Sequence, residues 1–146
     1  MVYDFFPLNL STNQLSSQLM ALFSQLGNYK NFGLFVMRAG LGVMMFMHGL
    51  PKLTGGIAEW RDLGENMSVL HIHFWPVFWG FMCAITECIG GLFCVLGLWF
   101  RLVSVLLLIN FIVAAVWHIK GAGDSVMDSS HSIELCFIFF GLIFIG

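Results

Sequence analysis

The chain has 146 residues, of which 59% are hydrophobic and only 10% charged, with a net charge of −2. An ordinary soluble domain is about 25% charged, so this chain cannot cover a water-facing globule and lipid must solvate much of it. With a slight acidic balance and no basic run to meet a phosphate backbone, a nucleic-acid binder is excluded.

The N-terminus, "MVYDFF", carries an acid where a cleavable signal would carry basic residues, so the first spanning helix is expected to act as the insertion signal itself. Residues 1–31 read as an amphipathic segment. Ser11 followed by Gln14 fits a capping box, and Leu8, Leu15, Leu19, Leu22 and Leu26 recur at helical spacing. Such a helix either lies along the membrane surface or packs against another subunit.

A spanning helix needs about 20 mostly apolar residues. Four segments within residues 32–146 approach that: 32–50, ending at Pro51; 75–100, opening on Trp75–Pro76; 102–119; and 132–146. The last is short, and the native chain is expected to continue beyond Gly146. Trp60, Trp75, Trp79 and Trp117 fall near one proposed interface and Trp99 near the other, as amphipathic rings prefer. The fold class is therefore all-α: an integral membrane four-helix bundle preceded by an N-terminal amphipathic helix. Basic residues tie between the two sides, with Lys30, Arg38 and Arg101 on one and Lys52, Arg61 and Lys120 on the other. An N-terminus in the cytoplasm is the expected orientation. Cys83, Cys88, Cys94 and Cys136 lie in apolar runs without CxxC or zinc spacing and read as small buried side chains. His71 and His73, in "HIH", are a weak metal signal that reads first as a solvated loop pair.

The acid Glu87 stands near the centre of the second span. An ion there costs about 2.5–3.5 kcal/mol on insertion scales, so it needs a partner. Helical phase puts it on one face with Gly80, Ala84, Gly91 and Cys94, a small-residue face suited to close helix packing. Arg38, Gly42, Met45, Gly49 and Lys52 share a face of the first span, and Asn110, Ala114 and His118 share one of the third. Counting helical rise from one membrane side puts Arg38 at roughly 9 Å, Asn110 at roughly 13 Å and Glu87 at roughly 18 Å. Arg38 is thus the expected partner of Glu87, with Asn110 within reach. The pair reads either as structural glue or as a proton-handling acid and its cation. A second layer, of His48, His118, Glu134, Lys52 and His131, falls at roughly 24–30 Å, near the far interface. Convergence of His48, His118 and Glu134 would make a site for a polar head group, for protons or for a metal. Interfacial snorkelling with Glu134 capping its helix is the alternative.

"RAGLGVMMFMHGLPKL", "GFMCAITECIGGLFCVLGLWFR" and "AAVWHIKG" together resemble the DoxX family of small bacterial membrane proteins. Arg38, His48, Gly49, Lys52, Glu87, Gly90, Gly91, Gly97, Arg101 and His118 carry the likeness, over about residues 32 to 146. Many relatives end in a "GPG" turn, which would be expected to begin at Gly146, where the given sequence stops. The resemblance implies a multi-pass protein of the bacterial inner membrane. Its best-understood relative is the membrane subunit of a thiosulfate:quinone oxidoreductase; others are linked with thiol, oxidative-stress or quinone systems. It therefore implies quinone binding. A quinone wants a dry aromatic slot, hydrogen-bond donors and a proton-delivering group. Phe46, Phe74, Phe78, Trp79 and Trp117 would line such a slot, with His48, His118, Lys52, Asn110 and Glu134 around the carbonyls and Glu87 with Arg38 handling charge and protons. No CxxCH or iron–sulfur pattern is encoded, so electrons would come through a soluble redox or thiol enzyme partner or a non-covalent cofactor. Two other readings stand beside this one: a scaffold that recruits a partner or forms a homo-oligomer, and a haem or metal protein ligated through His48 and His118.

Overall fold

The computed structural model describes residues 12–27 and 29–145, and among these every regular element is helical. They fall into two compact units divided between Phe35 and Val36. In the first, α1 runs Thr12–Gly27. Its Leu15 and Leu19 are exposed. Leu8, Ser11 and the side chains of Leu22 and Leu26 lie outside the described residues.

Helix α2 (Lys30–Thr54) is longer than the 32–50 expected from sequence, because it continues through Pro51. Proline removes one backbone donor, which usually ends a helix. Here the helix runs one further turn, and its last carbonyls find donors. The Thr54 hydroxyl donates to the Leu50 and Pro51 carbonyls at 2.9 and 3.2 Å, and the Gly55 N–H donates to Pro51 at 2.8 Å. Gly56, at φ +80°, then breaks the direction. A short helix absent from the sequence reading follows, α3 (Gly56–Glu65), then a 3-10 turn over Asn66–Leu70.

Helix α4 (Pro76–Leu96) starts on a proline, whose missing N–H costs nothing in a first turn. It ends in a Schellman motif at Gly97 (φ +70°): Leu98 N–H donates to Phe93 at 3.0 Å and Gly97 N–H to Cys94 at 3.2 Å. Helix α5 (Phe100–Val116) passes into one π-helical stretch, Trp117–Ala122. Helix α6 (Ser130–Ile145) closes the chain.

Glycines set the register. A Cβ on Gly42 would meet the Gly91 carbonyl at 2.5 Å, and one on Gly49 would collide with the backbone of Glu87 and Cys88. Further along, Gly80 lies against the Trp60 backbone and Gly64 against Pro76. As the chain advances from Gly42 to Gly64, its partner recedes from Gly91 to Pro76. Helices α2 and α3 therefore share one antiparallel track along α4. On the opposite flank Gly90 faces Val103 and Leu107 of α5. Helices α5 and α6 close through Phe111 stacked on Phe139, centroids 5.8 Å apart, with Leu107 and Leu142 also buried.

The small-residue face foreseen on α4 is the packed one: Gly80, Ala84, Glu87, Gly91 and Cys94 are all buried. Outside that core, large apolar side chains such as Phe137, Phe144, Ile109 and Leu102 are exposed. Three stretches, Lys30–Thr54, Pro76–Leu96 and Phe100–Ala122, are long and apolar enough to cross a membrane, and Ser130–Ile145 is a shorter apolar helix. Exposed apolar walls on spans of this length are what a bilayer solvates.

Candidate functional site

Glu87 sits inside this helix packing with its side chain only 4% exposed. Its partner is Lys52, not Arg38. The ammonium lies 2.6 Å from Oε2 and 2.8 Å from Oε1, and the Asn110 amide donates to Oε1 at 2.8 Å. Cys83 Sγ approaches Oε1 at 3.9 Å from one turn away on α4. One carboxylate thus gathers donors from α2 and α5. A buried charge is tolerable only when paired and hydrogen-bonded, and this one is both. Lys52 remains 31% exposed, so the cluster is closed on the Glu87 side and opens outward along the lysine.

The pairing expected from depth counting fails for a definite reason. That count assumed that each span begins at the same membrane level. The Gly49–Cys88 contact instead brings the end of α2 beside the middle of α4, so Lys52, one turn past Gly49, reaches Glu87. Arg38, about four turns before Lys52 on α2, comes level with the α4–α5 turn. Its guanidinium stacks over Phe100, 4.2 Å from the ring centroid.

Trp60 of α3 joins the cluster from behind. Its indole N–H donates to the Lys52 carbonyl at 3.0 Å, and its ring meets Phe81 edge-on at 4.9 Å. Trp60, Phe81, Phe78, Val77, Pro76 and Trp75 line an open apolar groove of about 620 Å³. Sequence reasoning placed Trp60 only at the membrane interface, because Glu59, Arg61, Asp62 and Glu65 make its surroundings look like a solvated loop. The available signal was the four-residue spacing of Trp60 and Gly64, which matches that of Pro76 and Gly80.

The second layer does not assemble as a triad. His48 lies exposed, 6.5 Å from His131 between ring centroids. His118 Nδ1 instead meets Asp124 Oδ2 at 2.7 Å, in a pair that is 37% and 38% exposed. Glu134 is exposed, and among the described residues no hydrogen bond or ion pair joins it to either histidine. Trp79 donates to the Phe74 carbonyl at 3.1 Å and packs edge-on with Phe78, while Trp117 packs against the His118 ring. The described residues include no cluster of three histidines, cysteines or carboxylates, and the four cysteines are free thiols.

Long apolar helices that pack through glycines around a buried ion pair define a helical, multi-pass membrane protein. The DoxX family profile matches residues 33–119, more than half of the chain, and the chain belongs to the DoxX family. The match takes in Arg38, His48, Lys52, Glu87, Asn110 and His118 and stops before α6. Neither a curated protein nor a solved structure matches the chain. The family is one of membrane proteins often linked to oxidoreductase-associated functions.

Proposed function

We propose that this chain is the quinone-binding membrane subunit of an oxidoreductase system, and that its spans form a four-helix bundle in the bacterial inner membrane. The observation that carries the reading is the Lys52–Glu87–Asn110 cluster, a proton-bearing group and its acceptor held in apolar helices and tied through Trp60 to an aromatic groove. The fit to a quinone is chemical. The ring needs flat apolar walls, which Trp60, Trp75, Phe78 and Phe81 provide. Bound there, the quinone supplies the two-electron acceptor.

The chain's own residues do the rest. Trp60 and Phe81 hold an aromatic wall in place by their edge contact. Lys52, partly exposed, holds protons at Nζ, and Glu87 keeps that ammonium fixed while Asn110 orients the carboxylate. Electrons arrive from a soluble redox or thiol enzyme partner or a non-covalent cofactor, since the sequence encodes no covalent haem or iron–sulfur pattern. The histidine-centred version of the site has less support, since His48 and His118 engage different neighbours.

The test is quinone content. Protein purified in mild detergent is extracted and its quinone measured for the parent, Trp60→Ala, Lys52→Met and His118→Ala. Loss in the first two with retention in the third supports the reading. A parent that carries no quinone and takes none up from supplemented vesicles refutes it and favours the scaffold, in which the cluster serves packing alone.

A further inference from the structure

A second cationic site lies at the other end of α2, unconnected with the quinone reading. Arg38 is half-buried, its Nε is fully enclosed and without a hydrogen-bond partner, and no carboxylate among the described residues pairs with it. A guanidinium in an apolar bundle is costly unless an anion meets it. Its contact with Phe100 satisfies the face of the group, and with Nε enclosed it is the terminal N–H donors that are left to meet an anion.

Around it opens a groove of about 600 Å³, lined by Arg38, Gly97, Trp99, Phe100, Arg101 and Leu102. Arg38 supplies a cation to it, and none of the six lining residues is acidic. The groove also contains the first turn of α5. Trp99, its N-cap residue, has φ +44° and makes no side-chain cap bond, so the leading N–H groups of a seventeen-residue helix remain without a side-chain cap. A helix N-terminus adds partial positive charge and anion-directed donors to a site that the guanidinium already defines. Gly97 lies beside the guanidinium: a Cβ there would be in ordinary contact, 3.6 Å from an Arg38 terminal nitrogen. The rim is apolar, with Trp99 74% exposed and Leu98 and Leu102 half exposed. An exposed tryptophan next to arginines at the end of two spans marks the headgroup level of a bilayer.

We propose that this groove binds the phosphodiester of an anionic phospholipid, with Arg38 as the principal ligand and Trp99 and Leu102 against the glycerol and first acyl carbons. Phosphate is the tetrahedral oxyanion that a guanidinium fork meets with paired hydrogen bonds. A bilayer presents it at this depth, with acyl chains that the apolar rim accepts. Free inorganic phosphate shares the anion and lacks the chains.

The experiment is native mass spectrometry of the full chain, delipidated in detergent and offered phosphatidylglycerol or, with matched acyl chains, an uncharged glycosyl diacylglycerol. The parent is expected to retain phosphatidylglycerol roughly tenfold better than the uncharged lipid, the scale of losing charge-assisted hydrogen bonds. Arg38→Met is expected to abolish that preference, and Lys120→Met, whose cation lies outside the groove, to keep it. Inorganic phosphate at millimolar concentration serves as competitor. Equal retention of the two lipids by the parent overturns the proposal, and this measurement does not depend on any variant folding. Unchanged preference in Arg38→Met also overturns it. Saturable phosphate binding without lipid preference overturns the lipid and assigns the groove to a free oxyanion.

Discussion

Replacing Lys52 with methionine isolates the buried pair. Methionine keeps the length and apolar stem of lysine and removes the charge, which leaves Glu87 at 4% exposure with only the Asn110 amide as a strong donor. Removing one partner of a fully buried ion pair costs about 3–5 kcal/mol. Lys52 is 31% exposed, and solvent already weakens its half of the interaction, so the expected loss is about 2–3 kcal/mol. Glu87→Leu alone strands the ammonium, which can turn outward to water, and costs less. The double variant Lys52→Met/Glu87→Leu exchanges the pair for an apolar contact and leaves one unsatisfied amide at Asn110, worth about 1–3 kcal/mol. The double loss is therefore smaller than the sum of the single losses, with a coupling energy of at least about 1.5 kcal/mol. The assay is reversible unfolding in mixed micelles by denaturing detergent, followed by tryptophan fluorescence. Additivity within about 0.5 kcal/mol would refute the reasoning, because contacting groups that share a charge do not act independently.

Glu87→Gln is expected to yield more assembled protein than Glu87→Leu, since its side-chain carbonyl still accepts from Asn110; equal yields by fluorescence-detected gel filtration would place the whole effect on the charge. Gly80→Ala and Gly49→Ala should each destabilise by more than about 2 kcal/mol, because the added methyl meets backbone that cannot move aside, whereas Gly141→Ala, with open space around it, should be neutral or gain a few tenths by helix propensity. His118→Ala should change stability by no more than about 1 kcal/mol, since its pair with Asp124 is more than one-third exposed to solvent, and a larger shift in unfolding midpoint would give that pair a role in packing. Single-cysteine labelling in a background without native cysteines should place Arg61 and Lys120 on one membrane side and Lys30 and Arg101 on the other; shared labelling of Lys30 and Arg61 would remove a crossing between them.

What could be read from the chain alone was angular. Period 3.6 placed Glu87 with Gly80, Ala84, Gly91 and Cys94, and it placed Lys52 on one face with Gly42 and Gly49; all those α4 residues and both glycines are buried. Asn110 beside Glu87 was also within reach of that argument. What could not be read was translation along the axes. Register between helices comes from backbone contacts at Gly42, Gly49, Gly64 and Gly80, and a single sequence does not say which glycine meets which carbonyl. The error moved the ion pair from Lys52 to Arg38. Helix α3 was hidden because four charged residues in ten mask a stripe consisting of little more than Trp60, Leu63 and Gly64. The histidines drew attention by residue type, and nothing in helical phase forced His48 and His118 to face each other.

The cluster around Glu87 also bears on how the protein is made. Lys52 leaves the ribosome 35 residues ahead of Glu87, and Asn110 follows 23 residues behind it. The acid in the second span thus enters the bilayer when its cation is already there, and the first two spans can be delivered as a hairpin whose opposite charges cancel. Asn110 arrives later, on the third, and occupies a lone-pair direction that the lysine leaves open. Neutralisation comes first and orientation second, in the order of translation.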